Sequence, residues 1–113
     1  MIEKIVLDWL ERKLKVPCRM EDEPGLPEAH VVVEKTGTAE ENLICSATFA
    51  IQSYGKTLYE AAVLNSLVKA AMDELVMLPE ITRSKLNSDY NYTDTATKKY
   101  RYQCVYDIKH YKE

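Results

Sequence analysis

The chain has 113 residues, a formal net charge of −3, 46% hydrophobic residues and 29% charged residues. This is the balance of one ordinary globular domain, residues 1–113, with no room for a second core. The mild acidity argues against nucleic acid as the main partner, which would ask for a basic excess. Three glycines and four prolines are too few for a long linker or a disordered tail.

Residues 2–14 are expected to form a helix, because Ile2, Ile5, Val6, Trp9, Leu10 and Leu14 recur at helical spacing with charges between them. Pro17 should end it. Those interleaved charges also leave no signal-peptide core, and no apolar run in the chain approaches membrane-spanning length. Residues 17–21 suit a short strand, and Glu21-Asp22-Glu23-Pro24-Gly25-Leu26-Pro27 an acidic loop.

A strand over Ala29–Thr36 follows from the β-branched run Val31-Val32-Val33, with a turn at Thr36-Gly37-Thr38. Leu43–Tyr54 alternates Cys45, Ala47, Phe49 and Ile51 against Ile44, Ser46, Thr48, Ala50 and Gln52. The first set is the more apolar, as in a strand of a sheet that is wet on one side. Gly55 should break this strand, and Thr57-Leu58-Tyr59-Glu60 fits a capping box. The helix it opens is expected to run to about Leu78, before Pro79.

Ile81–Tyr92 and Lys98–Tyr111 suit a final hairpin around the loop Thr93–Thr97. Pairing Tyr92 with Lys98 would set Tyr90 against Tyr100, Ser88 against Tyr102 and Leu86 against Cys104 on the core side. The wet side would then join Asp89 to Arg101 and Arg83 to Asp107. The element order is α-β-β-β-α-β-β. The class it implies is α+β, an antiparallel or mixed sheet of four or five strands with two helices packed on one face.

Few residues suggest chemistry. Cys18, Cys45 and Cys104 are odd in number and lack C-x-x-C spacing, so they are expected to be free thiols rather than disulfides or zinc ligands. His30 and His110 lie beside no nucleophile motif and are expected to be partly exposed surface residues. The acidic groups Glu21, Asp22 and Glu23, then Glu40 and Glu41, have the pattern of solvated loops. No Gly-rich phosphate loop exists. Lys98, Lys99 and Arg101 interleave with Tyr100 and Tyr102, near Arg83 and Lys85, like a stacking platform for single strands. The acidic total weighs against that use. Six of the eight tyrosines lie between Tyr90 and Tyr111, which suits subunit contact as well as core packing. The chain is therefore expected to be no enzyme, to use no cofactor or metal, and to act without specific nucleic acid or membrane.

Three segments carry a family resemblance: Glu34-Lys35-Thr36-Gly37; Ser46–Tyr54 with Lys56–Ala62; and Leu86-Asn87-Ser88-Asp89-Tyr90-Asn91-Tyr92. Together with the element order they resemble the tail-terminator and tail-completion (head–tail joining) proteins of tailed phages and prophages. The resemblance spans nearly the whole chain. It implies a structural protein of the virion, assembled in the host cytoplasm, that forms a ring, typically a hexamer, at the tail-tube end. Its partners would be itself, the tail-tube protein and the head connector. It brings no functional residue with it. The loops at 22–28 and 36–42 are the expected contact segments. The alternative is a small cytoplasmic protein-interaction or regulatory domain without catalysis.

Overall fold

Helix α1 spans Ile2–Leu14 in the computed structural model, which describes residues 1–112. Its apolar stripe buries Ile2, Val6, Trp9 and Leu10. Lys15 then takes a left-handed conformation (φ 59) and its N–H closes on the Glu11 carbonyl, so the helix stops before Pro17 is reached. The chain continues through strands β1 (Cys18–Arg19), β2 (His30–Glu41) and β3 (Ile44–Gly55) to helix α2 (Leu58–Asp73). A 3-10 turn, Glu74–Met77, leads to β4 (Ile81–Asn91) and β5 (Tyr100–Tyr111). The sheet order is β1-β2-β3-β5-β4, and only the β1–β2 pair is parallel. The fold is thus α+β with a mixed five-stranded sheet, in the expected order.

Both helices lie on one face. Their Val6, Leu10, Val68 and Met72 pack on Phe49, Ile51, Tyr106 and Ile108 of the sheet. Thr57 caps α2 as expected, its hydroxyl oxygen accepting the Glu60 N–H at 3.1 Å. The return contact differs: the Thr57 hydroxyl donates to the Glu60 carboxylate at 3.2 Å.

Two expectations about strands are corrected. Thr36-Gly37-Thr38 is no turn. Strand β2 runs through it to Glu41 by means of a bulge, the register stepping from Lys35↔Phe49 to Gly37↔Thr48. The expected contact loop at 36–42 is therefore mostly strand. The chain reverses instead at Asn42 (φ 50) and Leu43 (φ 68), a two-residue hairpin loop with both residues left-handed. Asn tolerates that conformation, and Leu does not. Leu43→Gly is expected to raise stability by about 1 kcal/mol in urea titration, as strain relief outweighs the glycine's unfolded-state entropy. An unchanged or lower midpoint would show the turn to be unstrained.

The second correction concerns the β4–β5 register. Tyr90 faces Gln103 and Asp89 faces Cys104, three positions from the expected pairing. Past a bulge between Leu86 and Ser88 the offset becomes two, with Leu86 opposite Tyr106 and Lys85 opposite Asp107. The connecting segment is itself ordered: Asp94 and Lys99 form a bridge, and the Asp94 carboxylate accepts the Ala96 N–H. Asp89 consequently meets Asn65 and Lys69 of α2, not Arg101. Asp107 accepts from Thr48 and Asn87, not Arg83. No described helix is long and apolar enough to cross a membrane.

Candidate functional site

The sheet face away from the helices is only half open. Alternation along β2, β3, β5 and β4 brings cross-strand rows to this face. One row carries His30, Tyr54, Arg101 and Tyr92. The next carries Val32, Gln52, Gln103 and Tyr90. At this end Val32, Gln52, Tyr54 and Gln103 are all buried, although an open sheet face was expected to be wet. Long side chains and the 20–29 loop close over it. The Arg101 guanidinium lies 4.6 Å from the Tyr92 ring and 5.7 Å from the Tyr54 ring, and donates to the Tyr54 hydroxyl at 2.9 Å. Gln52 donates to Gln103, which in turn donates to the Tyr90 hydroxyl. A cavity of about 600 Å³ opens above these rows.

Asp22 ties the loop across this end. Its carboxylate meets the His30 Nε2 at 3.0 Å and accepts from Lys99 Nζ at 3.0 Å, joining β2 to the start of β5. The His30 ring stacks on Tyr54 (centroids 4.4 Å apart, 11° between planes), and its Nδ1 lies 2.7 Å from the Pro27 carbonyl. Burial works against the Asp22 carboxylate, but Lys99 and His30 outweigh it and hold its pKa below the usual value. Such a group adds stability above its unfolded pKa of about 3.9 and loses it as pH falls through the lower folded value. Asp22→Asn is therefore expected to speed amide exchange across residues 20–29 at pH 7 and leave α2 unchanged. The difference from wild type should shrink below pH of about 4. Equal exchange at pH 7 would show that the tie holds nothing.

The histidines are buried, contrary to expectation: His30 is 7% exposed and His110 6%. His30 does stand beside a carboxylate, an arrangement that could favour catalysis. Both ring nitrogens are engaged here, by Asp22 and by the Pro27 carbonyl. His110 faces Cys45 across the β3–β5 pair, its Nδ1 meeting the Tyr111 carbonyl. All three cysteines are free. Burial, then the nearby Glu11, pushes the Cys18 thiol up to about 12. Burial, then Asp89, does the same to Cys104. Neither is a thiolate nucleophile at neutral pH. Among the described residues no three or more His, Cys, Asp or Glu gather where they could hold a metal.

The expected Lys–Tyr platform is split by alternation. Arg101 lies on the uncovered face, while Tyr100 and Tyr102 share the helix side of β5 with Cys104. Tyr90, expected on the core side, is on the uncovered face and 41% exposed. Arg83 and Lys85 sit at the far end of the sheet, opposite Lys109 and Asp107. The acidic residues separate too: Asp22 turns inward, Glu23 meets Arg19, Glu40 meets Lys112 and Glu41 stays exposed near the hairpin tip.

Two features escaped the sequence reading. The β2–β3 hairpin is exposed on β2 from Glu34 to Glu41, while its β3 strand stays paired with β5, and Leu43 at its tip is 70% exposed. The outer face of α2 is apolar as well: Tyr59, Val63 and Leu67 are 78%, 43% and 53% exposed. Tyr59, Val63 and Leu67 are spaced i, i+4, i+8, and that signal was available in the sequence. It was hidden because the apolar stripe of α2 is wide, with Leu58, Ala61, Leu64, Leu67 and Val68 on it beside a wet side of Glu60, Ser66, Lys69 and Asp73, so the spacing does not tell where along the stripe burial stops. No protein-family model matches the chain, and no curated protein matches it.

Proposed function

We propose that this chain is a structural virion-assembly protein of a tailed phage or prophage, of the tail-terminator or tail-completion type. It would form a ring at the tail-tube end near the head–tail junction. The family is suggested by the three resembling segments. The observation that best supports an assembly role is the pair of uncovered features at different places on the molecule. One is the β2–β3 hairpin end with an exposed leucine at its tip, and the other is the exposed strip of Tyr59, Val63 and Leu67 on α2, with Glu60 beside it. Large exposed apolar residues of this kind are covered in working assemblies. Two different patches suit a heterologous contact, which repeats and can close into a ring. The ends of the sheet add to this reading. Only Val31 and Val32 of β2 are paired by β1, which leaves the outer edge free from Val33 to Glu41.

The test is light scattering of the purified chain over a range of concentrations, with and without the tail-tube protein, followed by imaging. Closed rings, free or on tube ends, are the expected result. A virion lacking the protein should carry tails of uncontrolled length or fail to join heads. A chain that stays monomeric and ignores the tube would overturn the proposal. The open cavity at Arg101 and Tyr92 favours a second reading, a regulatory domain that binds one partner segment there.

A further inference from the structure

The hairpin tip carries an unusual combination. Leu43 occupies a left-handed position that glycine would fill without strain, and its side chain stands in solvent. Glu40 and Glu41 flank it on β2, both exposed. Neither the strain nor the exposure helps the isolated fold, so the leucine at this position calls for a role outside it. On the helix side of the molecule a groove of about 250 Å³ opens between α1 and α2. Its floor is Leu14, Leu67, Ala70 and Ala71, and Lys13 with Glu74 closes one side. Small alanines on α2 leave it open. The last turn of α1 supplies an exposed basic rim of Arg12, Lys13 and Lys15.

The two features are complementary in shape and charge. One is an apolar knob beside Glu41, with Glu40 held by Lys112, and the other an apolar hollow near Arg12 and Lys15, with Lys13 held by Glu74. We infer that the β2–β3 tip of one copy seats in the α1–α2 groove of the next copy. Leu43 enters beside Leu67 and Ala70, and Glu41 faces Arg12 and Lys15. The contact is heterologous, because each copy offers its tip to one neighbour and its groove to the other. This rests on the assembly reading above and names the contact that would build the ring.

Light scattering on three chains tests it. Wild type is expected to assemble. Leu43→Gly is expected to melt at a higher temperature yet assemble at least tenfold more weakly. Leu67→Glu, placed at an exposed position, should keep the wild-type circular dichroism and lose assembly by a similar factor. A geometric check uses Leu43→Cys and Ala70→Cys, each in a Cys45→Ser background, mixed and treated with a short bis-maleimide. Covalent dimers should exceed those formed by either chain alone. If wild type assembles while both surface variants assemble equally well, or while no cross-link forms, the seat is overturned and the assembly reading stands. If Leu43→Gly loses only tube-end binding, the tip belongs to the tube and the inference fails. If wild type stays monomeric with and without tube, both fail.

Discussion

Gly55→Ala is expected to cost about 3 kcal/mol, which is a large share of a small domain's stability. Gly55 ends β3, and the first turn of α2 crosses directly over it. A Cβ at this position would lie 2.4 Å from the Ala61 nitrogen, 2.9 Å from the Glu60 carbonyl carbon and 3.0 Å from the Ala61 Cα. All three are backbone atoms, so no side chain can rotate out of the way. The helix start itself must lift from the sheet. Ala61 is fully buried beneath that turn, and Thr57 and Glu60 hold its cap. Lifting the turn therefore exposes apolar surface and strains the cap together. The requirement is for space, since Gly55 is not among the residues with positive φ. Urea titration of the variant measures the loss. A change under about 0.5 kcal/mol would show that the turn can move aside cheaply.

Trp9→Ala is expected to cost about 3–5 kcal/mol. Trp9 is 5% exposed at the junction of α1 and α2, and its indole N–H donates to the Ala71 carbonyl at 2.8 Å. Arg12 and Lys13 cover the ring from outside, 5.1 and 4.7 Å from its centroid. Truncation removes the apolar bulk, leaves the Ala71 carbonyl without its donor and takes the platform from under two cations. Trp9→Phe separates these effects, because it keeps most of the packing and loses only the hydrogen bond. Its expected cost is about 1–2 kcal/mol. Equal losses for the two variants would place the whole effect in the hydrogen bond. No loss for the alanine variant would show that α1 is not held through this residue.

Gly55→Ala leaves the proposed contact between copies untouched, whereas Trp9→Ala also removes the ring under Arg12 and Lys13 at its rim. Both act on the seating of helices that frame the α1–α2 groove. Leu43→Gly and Leu67→Glu act on the groove and tip while sparing the core. The two sets of variants thus distinguish loss of assembly through unfolding from loss through the contact itself.

Local signals marked where the two helices begin. The spacing of Ile2, Val6, Trp9 and Leu10 set α1, and Thr57 with Glu60 set the start of α2. Where the sequence misled, a non-local pairing had the last word. Gly37 looks like a turn residue, yet its neighbours are tied to Thr48 and Ala47 of β3, and the strand absorbs the extra residue as a bulge. The β4–β5 register was read from cross-strand charges and aromatics near the loop. The loop set it three positions away, since Tyr92 pairs with Arg101 around an Asp94–Lys99 bridge, and two bulges in β4 then changed the count along the strand. No residue in β4 announces them. The end of α2 shows the same effect on a smaller scale: the expected helix to Leu78 becomes α-helix to Asp73 and then a 3-10 turn. There Ser84 donates to the Met72 carbonyl, and Tyr106 donates to the Asp73 carboxylate.

By itself, then, the sequence determined the α+β class, the element order and the absence of any recognisable catalytic motif. Hydrophobic period and capping are local properties, and a period of 3.6 or 2 survives without knowledge of partners. Tertiary structure alone decided which polar residues are buried. His30 and Gln103 look like surface residues in sequence, yet both are buried at one end of the sheet, His30 between Tyr54 and the Asp22 and Pro27 of the loop, and Gln103 between Gln52 and Tyr90. It also decided which apolar residues stay out. Leu43 and Leu67 carry the same side chain as the core leucines, and only the hairpin turn and the sheet's choice of helix face leave them in solvent. Burial depends on contacts between residues far apart in the chain, and a single sequence records those contacts only through patterns, which the wide apolar stripe of α2 leaves ambiguous.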